Sequence, residues 1–256
     1  MVHLSTHQML LWINSFIWPL TRILGLIGVA PIFGSSGIPV TIKISFGVAL
    51  TVLVAPTLHN IPLTDPLSLE GMLITLQQFI IGAAMGFTIQ VVFASVDLAG
   101  DLIGMSMGLG FASFYDPLSK ATTPALSQFL TLVATMLFLS FNFHLELLRT
   151  LVESFTNLPM GTDLSSHASM WMRIVNAGSV IFSSGVQLAL PIIAALLVTN
   201  IALGILTRAA PQLNLFGIGF PITLSVGFIM LMILMPYMAS PIRQIFEMGV
   251  EQAVLR

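Results

Sequence analysis

The chain has 256 residues, of which 56% are hydrophobic and only 7% charged, and its formal net charge is −2. A soluble domain carries about 25% charged residues to keep its surface in water, so this composition and a mean hydropathy of +1.01 exclude an ordinary soluble domain and indicate an integral membrane protein. The eight basic and ten acidic residues are scattered singly, which excludes a basic patch for binding nucleic acid.

Long uncharged stretches define the predicted elements. About 20 apolar residues cross a bilayer, and six stretches of about that length contain no Asp, Glu, Lys or Arg. After trimming at Gly, Pro and polar turn signals, they predict six helices and an all-α fold of membrane-associated helical hairpins. In chain order, the predicted helices cover residues 8–30, 40–56, 68–100, 122–157, 170–208 and 212–253.

The ends and lengths of these helices lead to further expectations. No Lys or Arg precedes the first apolar run, so it does not read as a cleaved signal peptide and we expect the first helix to be retained. Several helices are longer than a bilayer needs, which either tilt or an assembly partly outside the membrane would accommodate. The last two helices form a separate-looking hairpin, and a domain boundary is expected near residue 160.

The most unusual segment runs from Gly100 to Pro124, with the sequence GDLIGMSMGLGFASFYDPLSKATTP. Its glycines recur near a four-residue spacing, which permits close helix packing and is one interpretation. The segment as a whole is too rich in glycine for a stable helix and too apolar for an exposed loop. Irregular backbone at membrane depth occurs only where it is buried in protein or lines a cavity. Because methionine adapts to varied surfaces, the second interpretation is a movable loop that plugs a channel.

The titratable residues offer no catalytic arrangement. Asp97 and Asp101 are four residues apart on one helical face, and they suit either a metal or proton relay or a pair of carboxylates at a wet helix end. His3 and His7 share a face without a third ligand. The sequence has no cysteine and no HExxH, GxSxG, Walker or GxGxxG element. We therefore expect no enzyme activity, no bound metal and no cofactor.

A polar interruption, TRAAPQLNLFGIGFP, separates the last two predicted helices. A tight turn explains Arg208 at the end of one helix, where a cation complements the helix dipole, and Pro211 in the first turn of the next. Gly219 and Pro221 are harder to explain as a turn, because they fall inside the following apolar stretch. We expect them to bend or weaken that helix.

Glycines within the predicted helices indicate close contacts with other helices. Such backbone surfaces can be filled only by another helix, and long apolar faces beyond the bilayer would otherwise meet water. We expect partner subunits to protect these surfaces and to stabilise the chain. The glycines concerned are Gly25, Gly28, Gly82, Gly86 and Gly185.

Five segments, from the first helix to the last, resemble the FliR family of flagellar and type III secretion export gates in order and spacing. They are WPLTRILGLIGVAPIFGSSGIPVTIKISFGVAL from Trp18, QQFIIGAAMGFTIQ from Gln77, GMSMGLGFASFYDP from Gly104, FLSFNFHLELL from Phe138 and RAAPQLNLFGIGFPITL from Arg208. RxAPQLN followed by GFP is a specific pair of motifs. The flagellar branch of the family is favoured over the virulence branch.

The resemblance implies a subunit of the export gate in the bacterial inner membrane, within the flagellar basal body. It implies FliP and FliQ as partner subunits, FlhB as a further partner, contact with lipid, and unfolded export substrates in the channel. The chain would resemble FliP over residues 1–160 and a FliQ hairpin over residues 161–256, with the helices wound into a closed helical array.

The resemblance also assigns roles to the two unusual segments. The family's plug loop corresponds to residues 104–117, and the FliQ-like turn that faces FlhB corresponds to residues 208–221. The implied plug residues are Gly104, Met105, Met107, Gly108, Gly110, Phe111, Phe114, Tyr115, Asp116 and Pro117. The implied partner-contact residues are Arg208, Pro211, Gln212, Asn214, Phe216, Gly219, Phe220 and Pro221.

Two other classes of function compete with a gate. A secondary transporter typically has paired repeats and buried charges near the membrane midplane, whereas we expect no buried charge of this kind in the long predicted spans, and this difference favours the gate. A pure assembly scaffold is compatible with the same sequence. Ion leakage through variants of the plug loop would distinguish a gate from a scaffold.

Overall fold

The structure is a computed structural model and describes residues 6–58, 61–111, 125–161, 168–210 and 215–254. Within these ranges all regular secondary structure is helical, which confirms the predicted all-α class. The helices are α1 (Thr6–Val29), α2 (Val40–Val54), α3 (Leu69–Met107), α4 (Ala125–Ser140), α5 (Phe143–Asn157), α6 (Ala168–Ala209) and α7 (Phe220–Ala253). Short 3₁₀ turns cover Ala55–Thr57 and Leu109–Phe111, and a π-helical turn covers Leu215–Gly219.

The helices have the length expected of a membrane protein. In the part of the chain that the structure describes, five helices are long and apolar enough to cross a membrane, and α4 with α5 would make a sixth if they form one broken span. The prediction of about six long apolar helices is therefore confirmed. Prolines interrupt the hydrogen-bond ladder inside several of them, which membrane helices tolerate when neighbouring groups satisfy the freed backbone. These prolines are Pro19, Pro191, Pro236 and Pro241.

The predicted continuous helix over residues 122–157 is wrong. The chain instead forms α4 and α5, separated by a break at Phe141 and Asn142. Asn142 adopts a left-handed backbone conformation, with φ of 60°. Asparagine is one of the few residues other than glycine that enters this region at modest cost, so a single residue within an apolar run is enough to end one helix and begin another.

The predicted end of the third helix at residue 100 is also wrong. Helix α3 continues through Gly100 and Gly104 to Met107. Each glycine weakens a helix by only about 1 kcal/mol relative to alanine, and tertiary packing against this stretch offsets that cost. Regular helix ends at Gly108, which has a φ of 90°. A glycine with positive φ directly after the last helical residue is a common helix terminator.

The chain forms two compact units, each assembled from separate parts of the sequence. In the first unit, α1 packs closely on α3: a side chain at Gly82 would overlap the backbone carbonyl of Arg22, and one at Gly25 would lie 2.6 Å from the carbonyl oxygen of Phe79. Small residues of this kind let helix backbones approach each other in membrane proteins. The unit consists of Met1–Val91, Asn142–Ala177 and Glu247–Arg256.

The second compact unit contains an aromatic cluster. The rings of Phe93, Phe138 and Phe246 contact one another with centroid separations of 5.8, 5.3 and 5.2 Å and tilted or edge-to-face geometry. Aromatic pairs in such arrangements each stabilise a core by about 0.5–1.5 kcal/mol beyond the area they bury. The unit consists of Val92–Phe141 and Gly178–Phe246. The predicted boundary near residue 160 divides the chain by its resemblance to FliP and FliQ, whereas these two units are defined by contacts within the chain. The predicted boundary therefore stays a prediction.

Candidate functional site

The segment predicted to be a plug begins inside a helix. Gly104, Met105 and Met107 belong to α3, whereas Gly108 ends it and Gly110 lies in the following 3₁₀ turn. Met105 is 61% exposed, whereas Met107, only two residues later, is fully buried. In the part of the segment that the structure describes, α3 ends at Met107 and the chain turns at Gly108. Only the part after this turn is a candidate for the predicted loop.

Met107 is held by α7. Its side chain occupies the space that a side chain at Gly227 would need, since a methyl group there would lie 2.5–2.7 Å from the Cγ, Cε and Sδ atoms of Met107. The hydroxyl of Thr223, one turn earlier on the same face of α7, lies 3.2 Å from the carbonyl oxygen of Met107 and 3.0 Å from that of Phe220, so its single proton is shared between two acceptors. The contact brings a donor from α7 to the last carbonyl of α3, which has no partner within its own helix.

Ser127, near the start of α4, packs against α3. The Ser127 hydroxyl donates to the carboxylate of Asp101 and lies 3.1 Å from the carbonyl oxygen of Asp97. A side chain at Gly100 would lie 2.5 Å from the Cα atom of Ser127, so the two helices approach each other backbone to backbone. The rest of the predicted plug, including Phe114, Tyr115, Asp116 and Pro117, lies outside the described residues, and for Phe111 only the backbone is described.

The two aspartates do not lie at a helix end. Asp97 and Asp101 are half-buried within the continuous helix α3, so the interpretation of carboxylates at a wet helix end is wrong. Asp101 is engaged by Ser127. In the described ranges no group of three or more His, Cys, Asp or Glu side chains is close enough to hold a metal ion. A structural role for Asp101, fixing the start of α4, agrees with these contacts.

The predicted partner-contact turn is described only at its two ends. Arg208 lies exposed in the last turn of α6, and Phe220 and Pro221 begin α7 with exposed side chains. Gly219 is buried in the π-helical turn, and the backbone of Phe216 lies in the same turn. A π-helical turn before α7 agrees with the expectation that the glycines and Pro221 disturb this helix. Pro211, Gln212 and Asn214 lie outside the described residues.

The hydropathy pattern gives no sign of a buried cation, yet Arg22 in α1 is fully inaccessible to solvent. Its Nε donates to Gln78 Oε1 at 2.8 Å, and its Nη1 donates to the carbonyl oxygen and the hydroxyl of Ser154 at 2.8 and 3.1 Å. Its Nη2 donates to the carbonyl oxygen of Leu158 at 2.8 Å, and the guanidinium lies 4.3 Å from the ring centroid of Phe155. Arg22 thus joins α1, α3 and the end of α5 within the first unit.

Arg22 also corrects an argument made from the sequence. The expectation of long spans without buried charge is wrong, because Arg22 lies inside α1, and Asp97 and Asp101 lie inside α3. Absence of buried charge therefore does not distinguish a gate from a transporter here. The signal that could have found Arg22 is its position, since a lone arginine in the middle of an amphipathic apolar helix must be paired inside the protein.

Other helices of this same chain occupy the space beside most of the glycines that the sequence singles out. Side chains at Gly25, Gly82, Gly86 and Gly185 would each meet backbone atoms of this chain at 3.0 Å or less, whereas nothing lies within 4 Å of such a side chain at Gly28. The expectation that partner subunits fill these surfaces is wrong for the first four. The helix that fills each of these four surfaces belongs to the same chain.

These features define a class of protein: an all-α membrane protein in which glycine contacts and a buried arginine fix the helices, and in which a glycine turn leads out of the long, largely buried apolar helix α3. Comparison with known proteins is more specific. The family described as "Bacterial export proteins, family 1" matches residues 13–249. The chain belongs to this family and, by the similarities that follow, to its FliR members.

Three relatives illustrate the range of similarity. The chain is 42% identical over 250 residues to the flagellar biosynthetic protein FliR of Escherichia coli (strain K12), covering 96% of this chain and 94% of the relative. It is 44% identical to the FliR protein of Pectobacterium carotovorum subsp. carotovorum, covering 92% and 90%. The FliR protein of Bacillus subtilis (strain 168) is 28% identical, with 93% and 92% covered.

Proposed function

We propose that this chain is a structural and gating subunit of the flagellar type III protein export gate. In this proposal it forms, with FliP and FliQ, the channel through which unfolded export substrates cross the bacterial inner membrane in the flagellar basal body. The observation that carries the proposal is similarity to FliR proteins over at least nine-tenths of both chains. The five or six apolar helices support a membrane location.

Within this gate, residues 104–117 act as the plug. Support comes from the way the segment starts: Met107 is fully buried against α7, and Gly108 has a positive φ that turns the chain out of α3. The segment therefore leaves a rigid helix at a defined point and direction. Its composition of glycine, methionine and aromatic residues suits a compliant apolar seal.

The proposal also divides the chain into two parts, each resembling a different partner subunit. Residues 1–160 correspond to FliP and residues 161–256 to a FliQ-like hairpin, whose turn from Arg208 to Pro221 contacts FlhB. The exposure of Arg208, Phe220 and Pro221 supports an open surface at this turn. The polar residues Gln212 and Asn214 would supply the specific hydrogen bonds to the partner.

Three alternatives give different expectations. A homologous subunit of a virulence secretion system would show the same fold, and the flagellar names of all three relatives described above favour the flagellar system. A secondary transporter would leave a buried charge available to substrate, whereas each nitrogen of the Arg22 guanidinium donates to a group of this chain. A pure scaffold would assemble normally and would have no part in sealing the channel.

Deletion of residues 109–116 tests the plug. This deletion keeps Met107 and its contacts, so we expect the gate to assemble with FliP and FliQ at wild-type levels and to conduct small ions. Conductance of the purified gate and sensitivity of cells to small toxic molecules measure the leak. Substituting the same eight residues with a Gly-Ser linker of equal length is the matched control for loop length. A fully assembled, tight gate with the deletion would leave only the scaffold function.

A further inference from the structure

A short groove lies between the end of α1 and the start of α2, within the first compact unit. Five apolar side chains and Lys43 line it, and its volume is about 190 Å³. Pockets for compact small molecules measure about 300–1,000 Å³, so this groove suits a narrow apolar chain rather than a bulky ligand. The apolar lining residues are Ile27, Phe33, Ile38, Ile42 and Phe46.

Contacts within the α1–α2 pair give the groove its walls. The rings of Phe33 and Phe46 stack with a centroid separation of 5.7 Å, which fixes one side. A side chain at Gly47 would lie 2.8 Å from the Cδ2 atom of Leu24, so α1 and α2 touch there and bound the groove at that end. The outer side is open, since Ile42 is 58% exposed. The groove is therefore a preformed feature of this helix pair that faces the surroundings of the chain.

Lys43 is the one charged residue that lines the groove. Its Nζ donates to the carbonyl oxygen of Gly34 at 2.9 Å, so the side chain points back towards the connection between the helices. An ammonium group has three donors, of which this contact uses one. Asp65 is the first acidic residue of the chain, and no carboxylate among the described residues forms an ion pair with Lys43. The described part of the chain therefore supplies no negative group to this cation.

The position of Lys43 in its helix makes the missing negative group more significant. Lys43 lies in the first turn of α2, where the helix dipole is positive and a cation is unfavourable. No side chain caps this end of the helix. Lys43 therefore does not stabilise α2 through the dipole, and an anionic group beside it would offset both the ammonium charge and the positive helix end.

The location of the groove relative to the apolar helices indicates which anionic group is at hand. Both α1 and α2 are long and apolar enough to cross a membrane. The connection between them carries the exposed residues Ser35 and Ser36, which is typical of a connection at a membrane surface. Lys43 lies three residues, or about 5 Å, along α2 from Val40. The headgroup region of a bilayer is about 5–8 Å thick on each side, so the ammonium lies at the depth of lipid phosphates.

We propose that this groove binds an anionic phospholipid, with one acyl chain against the apolar lining and the lipid phosphate beside the Lys43 ammonium. The site goes beyond the proposed export function and does not depend on it. An apolar side chain of a partner subunit would fill the lining but would leave Lys43 without a counter-charge. A lipid satisfies the lining and the cation together, and lysine side chains commonly extend their ammonium to the headgroups in this way.

Lipid retention by the purified full chain tests the site. The delipidated chain in detergent is given equal amounts of phosphatidylglycerol and phosphatidylcholine, and native mass spectrometry counts each bound lipid. Both lipids contain a phosphate, but only phosphatidylglycerol has a net negative charge. We expect the wild-type chain to retain phosphatidylglycerol about fivefold better, the factor that one lysine contributes at an anionic membrane surface. Lys43→Gln should lose this preference, and Lys43→Arg should keep it.

Two further variants separate the groove from general effects of charge. Ile42→Trp places a larger ring at the open side of the groove and should cause loss of both lipids. Arg149→Gln removes an exposed cation that is paired with Glu153, and it should keep the wild-type preference. Unchanged retention in Ile42→Trp would overturn the groove as the binding site.

The remaining outcomes also decide the proposal. An unchanged preference in Lys43→Gln, or an equal loss of both lipids in that variant, would overturn the pairing of Lys43 with an anionic headgroup. If the wild-type chain retains neither lipid, the groove is not a lipid site and is left for an apolar group of a partner subunit. None of these measurements reads export, so failure of the lipid site leaves the proposed export function untouched.

Discussion

Replacing Arg22 by methionine should destabilise the first unit substantially. The change keeps an unbranched apolar side chain of similar length but removes all the donors of the guanidinium. The carbonyl oxygen of Leu158 and the amide oxygen of Gln78 would then lose partners at 2.8 Å in a region without solvent access, whereas the carbonyl oxygen of Ser154 would keep the backbone N–H of Leu158 at 2.9 Å. Each buried polar group left unpaired costs about 1–3 kcal/mol, and loss of the cation from the ring of Phe155 adds about 0.5–2 kcal/mol.

An opposing term limits the effect. Burial of a cation without a carboxylate partner is itself costly, by several kcal/mol, and the variant avoids that cost. In the native chain the end of α5 reduces this cost, because its terminal carbonyls carry the negative end of the helix dipole. From about 2–8 kcal/mol of lost interactions and the partly offsetting relief of the buried charge, we expect a net loss of about 2 kcal/mol in the free energy of unfolding.

Denaturant unfolding in detergent, followed by tryptophan fluorescence, measures this loss, because Trp18 is fully buried one turn before Arg22 on the same face of α1. The matched control is Arg149→Met, which removes an exposed arginine paired with Glu153 at 2.9 Å and should change stability by less than about 0.5 kcal/mol. The double variant Arg22→Met with Gln78→Met should recover part of the loss, since one orphaned acceptor disappears. Equal stability of Arg22→Met and Arg149→Met would refute the assignment of Arg22 as a structural cation.

Two other changes test the remaining assignments. Gly82→Ala should lower the free energy of unfolding of the first unit by about 2–4 kcal/mol, because its methyl group overlaps the Arg22 carbonyl. The control Gly28→Ala, whose methyl group has nothing within 4 Å, should be neutral or slightly stabilising. Equal thermal stability of the two variants would contradict the close packing of α1 on α3. Replacing Gln212 and Asn214 together by Ser should lower reporter export and crosslinking to FlhB while assembly with FliP and FliQ persists, because Ser keeps the turn but loses the amides. Wild-type export and crosslinking in that double variant would reduce the segment to a turn.

Much of the fold follows from the distribution of charge in the sequence. Apolar runs of bilayer length predict the helices, and the first, second and fifth predicted helices match the observed ones to within two residues at each end. The last helix, predicted from residue 212, begins instead at Phe220, after a π-helical turn. The break at Asn142 was not predictable in the same way, because one residue in a left-handed conformation leaves no trace in hydropathy. The extension of α3 to Met107 was missed because intrinsic propensity was given more weight than packing, and packing outweighs it when glycines face another helix.

The candidate site was predictable in place but not in detail. Composition alone located the unusual segment after Gly100, yet it could not separate the helical, anchored part from the rest. The separation depends on contacts with residues more than 100 positions away, such as Thr223 with Met107. Arg22 was overlooked for a similar reason: its acceptors are backbone carbonyls and a hydroxyl from α5, and backbone acceptors have no signature in a sequence.

The need for neighbouring subunits or lipid rests on apolar faces rather than on glycines. The most apolar window of α3 is 67% buried within the chain, whereas the corresponding windows of α2, α6 and α7 are 17%, 28% and 17% buried. Among these four helices α3 is therefore the most buried, and α7 leaves most of its apolar surface uncovered by this chain while one face packs on Met107. A helix placed in this way is in contact both with whatever surrounds the chain and with the start of the proposed plug.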